Sequence, residues 1–273
     1  FTSNTLFAQE KTRFYLKPHL GMEWAFSRFE DKATIPTFIE RTGLSPSVRY
    51  GLGFLIDFGN KWGIEVGYTG AELGWGVHYN SKTDSVENAI SGRYNNFTTI
   101  HRFHLSFFKS NALIVIRKKR GAYLRKHAKE KKEYDYFASF NLGVLGGAAY
   151  EYIPLFGVAS FLSDGFNPSH SQRTTDVLSL SSIPSEKSTR HGGSIYFGLY
   201  SQFLQAGKKR LQLGIIYQQG IPKRLISNWE TSINGVTQPD FQTFTRGSYL
   251  ALYATYPIQL FTISGKNSKR FKG

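Results

Sequence analysis

Apolar side chains recur at every second position along most of the chain, the spacing that sends successive residues to opposite faces of a strand. From Arg13, one face reads Phe14, Leu16, Pro18, Leu20, Met22, Trp24 and Phe26; the other reads Arg13, Tyr15, Lys17, His19, Gly21, Glu23 and Ala25. The pattern returns over Val48–Phe58 and, after a short turn at Gly59-Asn60, over Trp62–Tyr68. There the apolar phase slips to Leu73, Trp75 and Val77, which predicts a bulge or the end of the strand. Five more alternating segments follow at Phe97–Phe107, Tyr136–Val144, Ile195–Phe203, Leu211–Tyr217 and Leu250–Ile258, for a predicted total of eight strands.

The connections alternate in kind. Those near 59–61 and 205–209 are tight, whereas 28–46, 79–93, 154–192 and 220–246 are long and rich in Ser, Asn, Thr and Pro. Short turns alternating with long loops predict an all-β, antiparallel up-and-down barrel, with both termini on the short-turn side. Composition agrees: 16% of residues are aromatic, Gly is abundant and Met occurs once. The absence of Cys excludes disulfides, zinc-thiolate sites and cysteine nucleophiles.

A barrel can bury its apolar face or turn it to lipid. A water-facing wall carries charge at most outward positions. The second face of the fifth strand reads Ser139, Asn141, Gly143, Leu145 and Gly147, and that of the eighth Tyr249, Ala251, Tyr253 and Thr255. These small and hydroxylated residues suit a crowded interior, so the apolar face is assigned to lipid. Aromatics near both strand ends fit interfacial girdles: Phe14, Phe58, Trp62 and Phe107 at one, Trp24, Phe26 and Tyr68 at the other. No run of about 20 apolar residues is present, so no transmembrane helix is available. The mean hydropathy of −0.32 is compatible with a membrane barrel, because only alternate strand residues meet lipid.

With its Phe7-Ala8-Gln9 start, aromatic-rich strands and the ending YLALYATYPIQLF, the chain resembles the small eight-stranded outer-membrane barrels of the OmpA/OmpX-like group, in particular members from Bacteroidota-type bacteria. The resemblance is one of architecture over most of residues 11–261. It implies an integral protein of the Gram-negative outer membrane with both termini periplasmic. Residues 1–10 read as the tail of a secretory signal peptide or an N-terminal extension. Residues 109–133 form a basic periplasmic insert within the barrel, and 262–273 a basic periplasmic tail.

Charge is concentrated. The run RKKRGAYLRKHAKEKK at 117–132 carries +8, Lys208–Arg210 +3 and the tail beyond Ile258 +4, together the whole formal net charge of +15. Alone, the run reads as a nucleic-acid arm; the topology puts all three segments at the periplasmic rim and removes nucleic acid as a partner. Arg117, Lys118, Lys119, Arg120, Arg125, Lys126, Lys129, Lys131 and Lys132 are the candidate periplasmic interaction residues. They suit lipid phosphates or an acidic envelope protein. Between Ser110 and Tyr134 an amphipathic helix is compatible with the pattern, although Gly121 weakens it.

Inside the barrel the alternation places Lys17, Glu23, Arg49, Asp57, Glu65 and Arg102, with His19 and His104. Charges in a narrow lumen must pair. If Ala25 lies opposite Arg49, Lys17 faces Asp57 and Glu23 comes near Arg49. An eight-stranded lumen is just filled by side chains, so a plugged structural interior is expected, with a narrow ion path as the alternative. His104-Leu105-Ser106 has the spacing of a His/Ser pair used by lipid A deacylases, but it faces the lumen and no carboxylate partner is apparent. No P-loop, dinucleotide fingerprint, zinc motif or metal-ligand spacing among the seven His appears, so neither catalytic residues nor cofactors are assigned. The Gly-rich GLGFLIDFG reads as lumen-facing glycines within a strand. Asp84-Ser85-Val86 matches an O-glycosylation acceptor, or is plain loop. Apolar residues in the long loops (Trp229, Phe241, Phe244 and IPLFGVASFL at 153–162) fold over the mouth or dock a partner. These readings point to a structural anchor or accessory subunit of an envelope complex.

Overall fold

The computed structural model describes residues 11–31, 35–42, 44–59, 62–80, 91–118, 136–154, 178–185, 187–205, 208–233 and 235–264. They form strands β1 (Lys11–Phe29), β2 (Ile39–Thr42), β3 (Leu44–Asp57), β4 (Trp62–Asn80), β5 (Ser91–Lys118), β6 (Tyr136–Tyr152) and β7 (Leu178–Pro184). Then follow β8 (His191–Gln205), β9 (Lys208–Gly220), β10 (Leu225–Ile233), β11 (Val236–Thr237), β12 (Phe241–Thr255) and β13 (Ile258–Ser264). Every pairing is antiparallel, and no helix occurs among the described residues.

The sheet closes. Pairing runs β1-β3-β4-β5-β6-β8-β9-β12 and returns from β12 to β1. Stepping through paired residues from Tyr15 by Leu55, Glu65, Ser106, Gly147, Tyr196, Gln218 and Tyr249 brings the path back to β1 at Ala25, ten residues further along. That stagger, at about 4.8 Å between strands and 3.3 Å per residue, tilts the strands by about 40° from the barrel axis. Such a barrel has no free edge along its length and an interior only one side chain deep from each wall.

The two faces sort as the alternation requires. Leu20, Leu52, Val66, Phe103, Phe197 and Leu252 stand exposed on the outer wall, while Tyr15, Leu55, Glu65, Arg102, Tyr249 and Ala251 are buried inside. On β4 the bulge or strand end expected from the phase slip does not occur: Trp62–Asn80 pairs with β5 without a register shift. Instead the apolar residues change sides. Ile64 and Val66 face out, but Leu73, Trp75 and Val77 face in and are buried. Beyond about Gly70 the wall is no longer apolar, and hydrophobic side chains retreat to the inside.

There the long connections contain regular structure that their polar composition did not announce. β2 adds to β4, and β10 joins β12 with β7 and β11 beside it. Together they enclose an apolar cap in which Leu73, Trp75, Ile100, Leu225, Trp229 and Phe241 are buried. At the opposite, short-turn end, β5 is strand through Lys118, paired back with β6 from Tyr136. The helix considered between Ser110 and Tyr134 is thus replaced by strand as far as Lys118, where Ile114–Ile116 supplies a β-branched run. Thr262–Ser264, expected in the tail, belongs to β13 and pairs with the start of β1.

Candidate functional site

The interior is the one place where the described residues gather charge, and it is layered along the axis. At the short-turn end Lys209, just after the turn into β9, reaches Asp57 at 3.0 Å and lies over the Tyr15 ring at 5.3 Å. The Asp57 carboxylate also accepts the Gly59 amide at 3.2 Å.

One layer further in, Lys17 meets Glu65 at 2.5 Å and rests over the Phe108 ring at 4.3 Å. The other Glu65 oxygen lies 3.3 Å from Nε2 of His104. His104 Nδ1 contacts the Thr69 hydroxyl at 3.4 Å, and Thr69 contacts His19 Nε2 at 3.3 Å. The bulk of these side chains needs glycines on the adjacent strand β3. A Cβ at Gly51 would stand 2.2 Å from the His19 ring, and one at Gly53 2.6 Å from the Glu65 carboxylate. The lumen-facing reading of GLGFLIDFG holds for this reason.

The central layer is built on Arg102. Its guanidinium donates to both oxygens of Glu23 at 2.8 and 2.9 Å, the two-pronged geometry of the strongest ion pairs. It also lies 3.4 Å from Glu151 and over the Tyr249 ring at 4.3 Å. Arg49 stands 4.0 Å from Glu23 and donates to the Tyr249 hydroxyl at 2.5 Å. Tyr249 in turn donates to Gln218 at 2.5 Å, and Gln218 donates to Glu151. Glu151 further accepts from Ser194 at 3.0 Å and from Arg224 at 2.8 Å. Arg224 does not belong to the barrel strands. It enters from the segment between β9 and β10, through space that Gly192 leaves: a Cβ there would lie 2.0 Å from its guanidinium.

The register differs from the expectation that Ala25 faces Arg49. Ala25 pairs with Ser45 and Arg49 with Gly21, so Lys17 lies across from Gly53 and Asp57 across from Arg13. The β1–β3 pairing extends to Phe26 and Leu44, four residues further toward the long-connection end. Lys17 therefore finds its carboxylate on β4, and Asp57 finds its cation on β9. Glu23 and Arg49 still approach because the diagonal, rather than the rung, joins them.

His104 does have a carboxylate beside it. Glu65 pairs with Ser106 across β4 and β5, a neighbour that no local spacing reveals. Ser106, however, shares its 2.5 Å hydrogen bond with the Tyr196 hydroxyl, which donates onward to the Leu105 carbonyl at 3.0 Å. The serine is thus tied to a phenol and not to the imidazole, and nucleophile and base do not form a couple. The interior retains a cavity of about 30 Å³ among Lys17, His19, Glu65, His104 and Tyr253, room for about two waters.

Sequence reasoning did not reach Glu151, Lys209, Arg224, Tyr249 or Gln218 as members of this network. Glu151 was two-residue periodicity away, since Leu145 and Ala149 share its inward face. Arg224 sits in a connection without periodicity. Of the basic residues, Arg117 and Lys118 end β5 opposite Phe137 and Tyr136. Lys119, Arg120, Arg125, Lys126, Lys129, Lys131 and Lys132 lie outside the described residues, as do Asp84-Ser85-Val86, the N-terminal extension, Leu155–Leu162 and Gly265–Gly273. Ile153, Trp229 and Phe241 are buried in the cap.

No family model and no curated protein matches the chain. Among solved structures it is similar to the outer membrane protein OprG from Pseudomonas aeruginosa, with a TM-score of 0.38, 9% identity, and 92% of this chain and 97% of that one covered. It is also similar to Ail, the attachment invasion locus protein of Yersinia pestis, in its complex with the heparin analogue sucrose octasulfate. There the TM-score is 0.28, the identity 10%, and the coverage 90% of this chain and 99% of that one.

Proposed function

We propose that the chain is an integral outer-membrane barrel of eight spanning strands that serves as an anchor or accessory subunit of a larger envelope assembly. One observation carries this reading: the same rungs that bury a charged, hydrogen-bonded interior expose an apolar outer wall. On β8 the outward positions Ile195, Phe197 and Leu199 are 57%, 65% and 60% exposed, an arrangement that costs too much in water and is natural in hydrocarbon. From Phe14 to Trp24 on β1, ten residue steps at about 3.3 Å and 40° tilt span roughly 25 Å, the height of a membrane barrel's apolar band.

In this orientation the short turns and both termini are periplasmic and the apolar cap is extracellular. The filled lumen favours a structural barrel over a solute pore, because its interior leaves space for waters only. The basic segment between β5 and β6 is the interaction element: a barrel needs only a tight turn there, and this chain spends residues 119–135 on it. Its partners are lipid phosphate or an acidic envelope protein, not nucleic acid. The alternative of a narrow ion path rests on the His19–Thr69–His104–Glu65 contacts.

The test is purification in mild detergent. A heat-modifiable band on gels, together with a protein that co-purifies with the full chain and is lost when 119–132 are removed, is the expected result. A chain that stays soluble without detergent refutes the membrane reading. One that always isolates alone refutes the assembly reading, and steady conductance in planar bilayers would favour the ion path.

A further inference from the structure

The outer wall carries a row of rings that the interior network does not use. Tyr68 of β4, His101 of β5, Tyr152 of β6 and His191 of β8 follow one another around the barrel, with centroids 5.8, 6.4 and 5.2 Å apart. Tyr150 stands 6.0 Å from His191. The Tyr68 hydroxyl lies 2.6 Å from Nδ1 of His101, and the Tyr150 hydroxyl 2.6 Å from Nδ1 of His191. His101, Tyr152 and His191 occupy one rung, the last that joins β5, β6 and β8. On one side of it the wall is apolar, with Phe103 and Ile195 more than half exposed. On the other, the hydrophobic residues of β4 have turned inward. The row therefore marks the upper edge of the apolar wall.

Its chemistry is specific. We assign each tyrosine hydroxyl, the stronger acid of the two groups, as donor to Nδ1, the arrangement that places the imidazole hydrogen on Nε2. Neither Nε2 has a partner among the described residues. The row thus offers two outward N–H donors, with phenol hydroxyls between and beside them. It crosses four strands, roughly 14 Å at about 4.8 Å per step. That is wider than a single glycerophosphate headgroup and suits a phosphorylated sugar headgroup.

We infer that this row binds the phosphorylated sugar headgroup of an outer-leaflet glycolipid. His101 and His191 donate from Nε2 to phosphate oxygens, Tyr152 meets sugar hydroxyls, and acyl chains lie along Phe103 and Ile195. The inference rests on the membrane-spanning reading above and adds a ligand and a position to it.

The experiment uses the full chain folded into phosphatidylcholine vesicles that contain diphosphorylated lipid A, dephosphorylated lipid A or phosphatidylglycerol. Lipid retained after extraction is read by native mass spectrometry. Two hydrogen bonds to a charged acceptor predict a preference for the diphosphorylated form of roughly tenfold or more. His101→Phe with His191→Phe keeps the rings and is expected to reduce that preference to within about twofold, a loss of nearly the whole contribution of both bonds. Tyr68→Phe with Tyr150→Phe, which frees Nδ1 without touching Nε2, is expected to weaken it partially and guards against a histidine variant that fails to fold. Equal retention of both lipid A forms overturns the inference, as does an unchanged preference in the folded histidine variant. Equal retention of phosphatidylglycerol overturns the sugar component. A chain that never gains a heat-modifiable form in any vesicle fails the membrane reading itself, and the inference falls with it.

Discussion

Removing Arg102 tests whether the central layer holds the barrel together. The side chain is 1% exposed and Glu23 is fully buried. In Arg102→Met, Glu23 keeps only Arg49 at 4.0 Å, a distance beyond hydrogen bonding. Glu151 is affected less, since Arg224, Ser194 and Gln218 still reach it. Stripping one partner from a buried pair costs about 3–5 kcal/mol, mostly the price of an uncompensated charge. At a urea dependence of about 2 kcal/mol per M, the unfolding midpoint falls by roughly 2 M. Glu23→Gln in the same chain removes that charge, so the double variant should recover about 2 kcal/mol or more relative to Arg102→Met alone. Urea titration of the vesicle-inserted protein, followed by the heat-modifiable gel shift, measures both. A single variant within about 0.5 kcal/mol of the parent, or a double variant whose loss equals the sum of the single losses, would refute the claim that the pair is coupled and unscreened.

Three further outcomes are expected. Gly192→Ala should destabilise by about 1–3 kcal/mol, because its Cβ would press on the Arg224 guanidinium; adding Arg224→Ala should remove that steric part of the cost in the same titration. Trp229→Ala should cost about 3–5 kcal/mol by opening a cavity in the cap, where Trp229 is fully buried, stacks on Phe241 at 5.8 Å and donates to Thr243; limited proteolysis should show cleavage confined to β7, β10 and β11. Deleting 119–132 should leave the urea midpoint unchanged but reduce salt-sensitive association with anionic vesicles by about 1 kcal/mol per basic residue at the surface, read by co-sedimentation.

The strands and their faces were legible because a two-residue period is a local property. Each alternating segment needs only its own sequence to declare which side is apolar, and the outward set Leu20, Met22, Leu52, Leu199 and Leu213 follows it. The β4 phase slip was also a real signal with a different cause. An apolar pattern that changes parity while the backbone keeps its register, as at Tyr68 and Leu73, reports that the environment outside the wall has changed. Trp229 and Phe241 were legible as residues that could cover the mouth, but the strands of the cap were not, because β2 and β11 are very short and the inward face of β10 alternates Leu225 and Trp229 with Ser227 and Thr231.

Register is where local information ends, and the ion pairs depend on it. Sliding β1 against β3 by four residues preserves every side chain's face, because four is a multiple of the two-residue period. Alternation is therefore blind to the difference between Lys17 opposite Asp57 and Lys17 opposite Gly53. The choice is made by closure: all eight pairings must accumulate the same ten-residue stagger before β12 meets β1. Once they do, each cation finds its carboxylate on another strand, as Lys17 on β1 finds Glu65 on β4, Arg102 on β5 finds Glu23 on β1, and Lys209 on β9 finds Asp57 on β3. None of these pairs links adjacent strands. A one-step slip in any single hairpin would displace several of them at once, so the buried charges select the closed register in a way the apolar wall, whose residues are interchangeable within its band, does not.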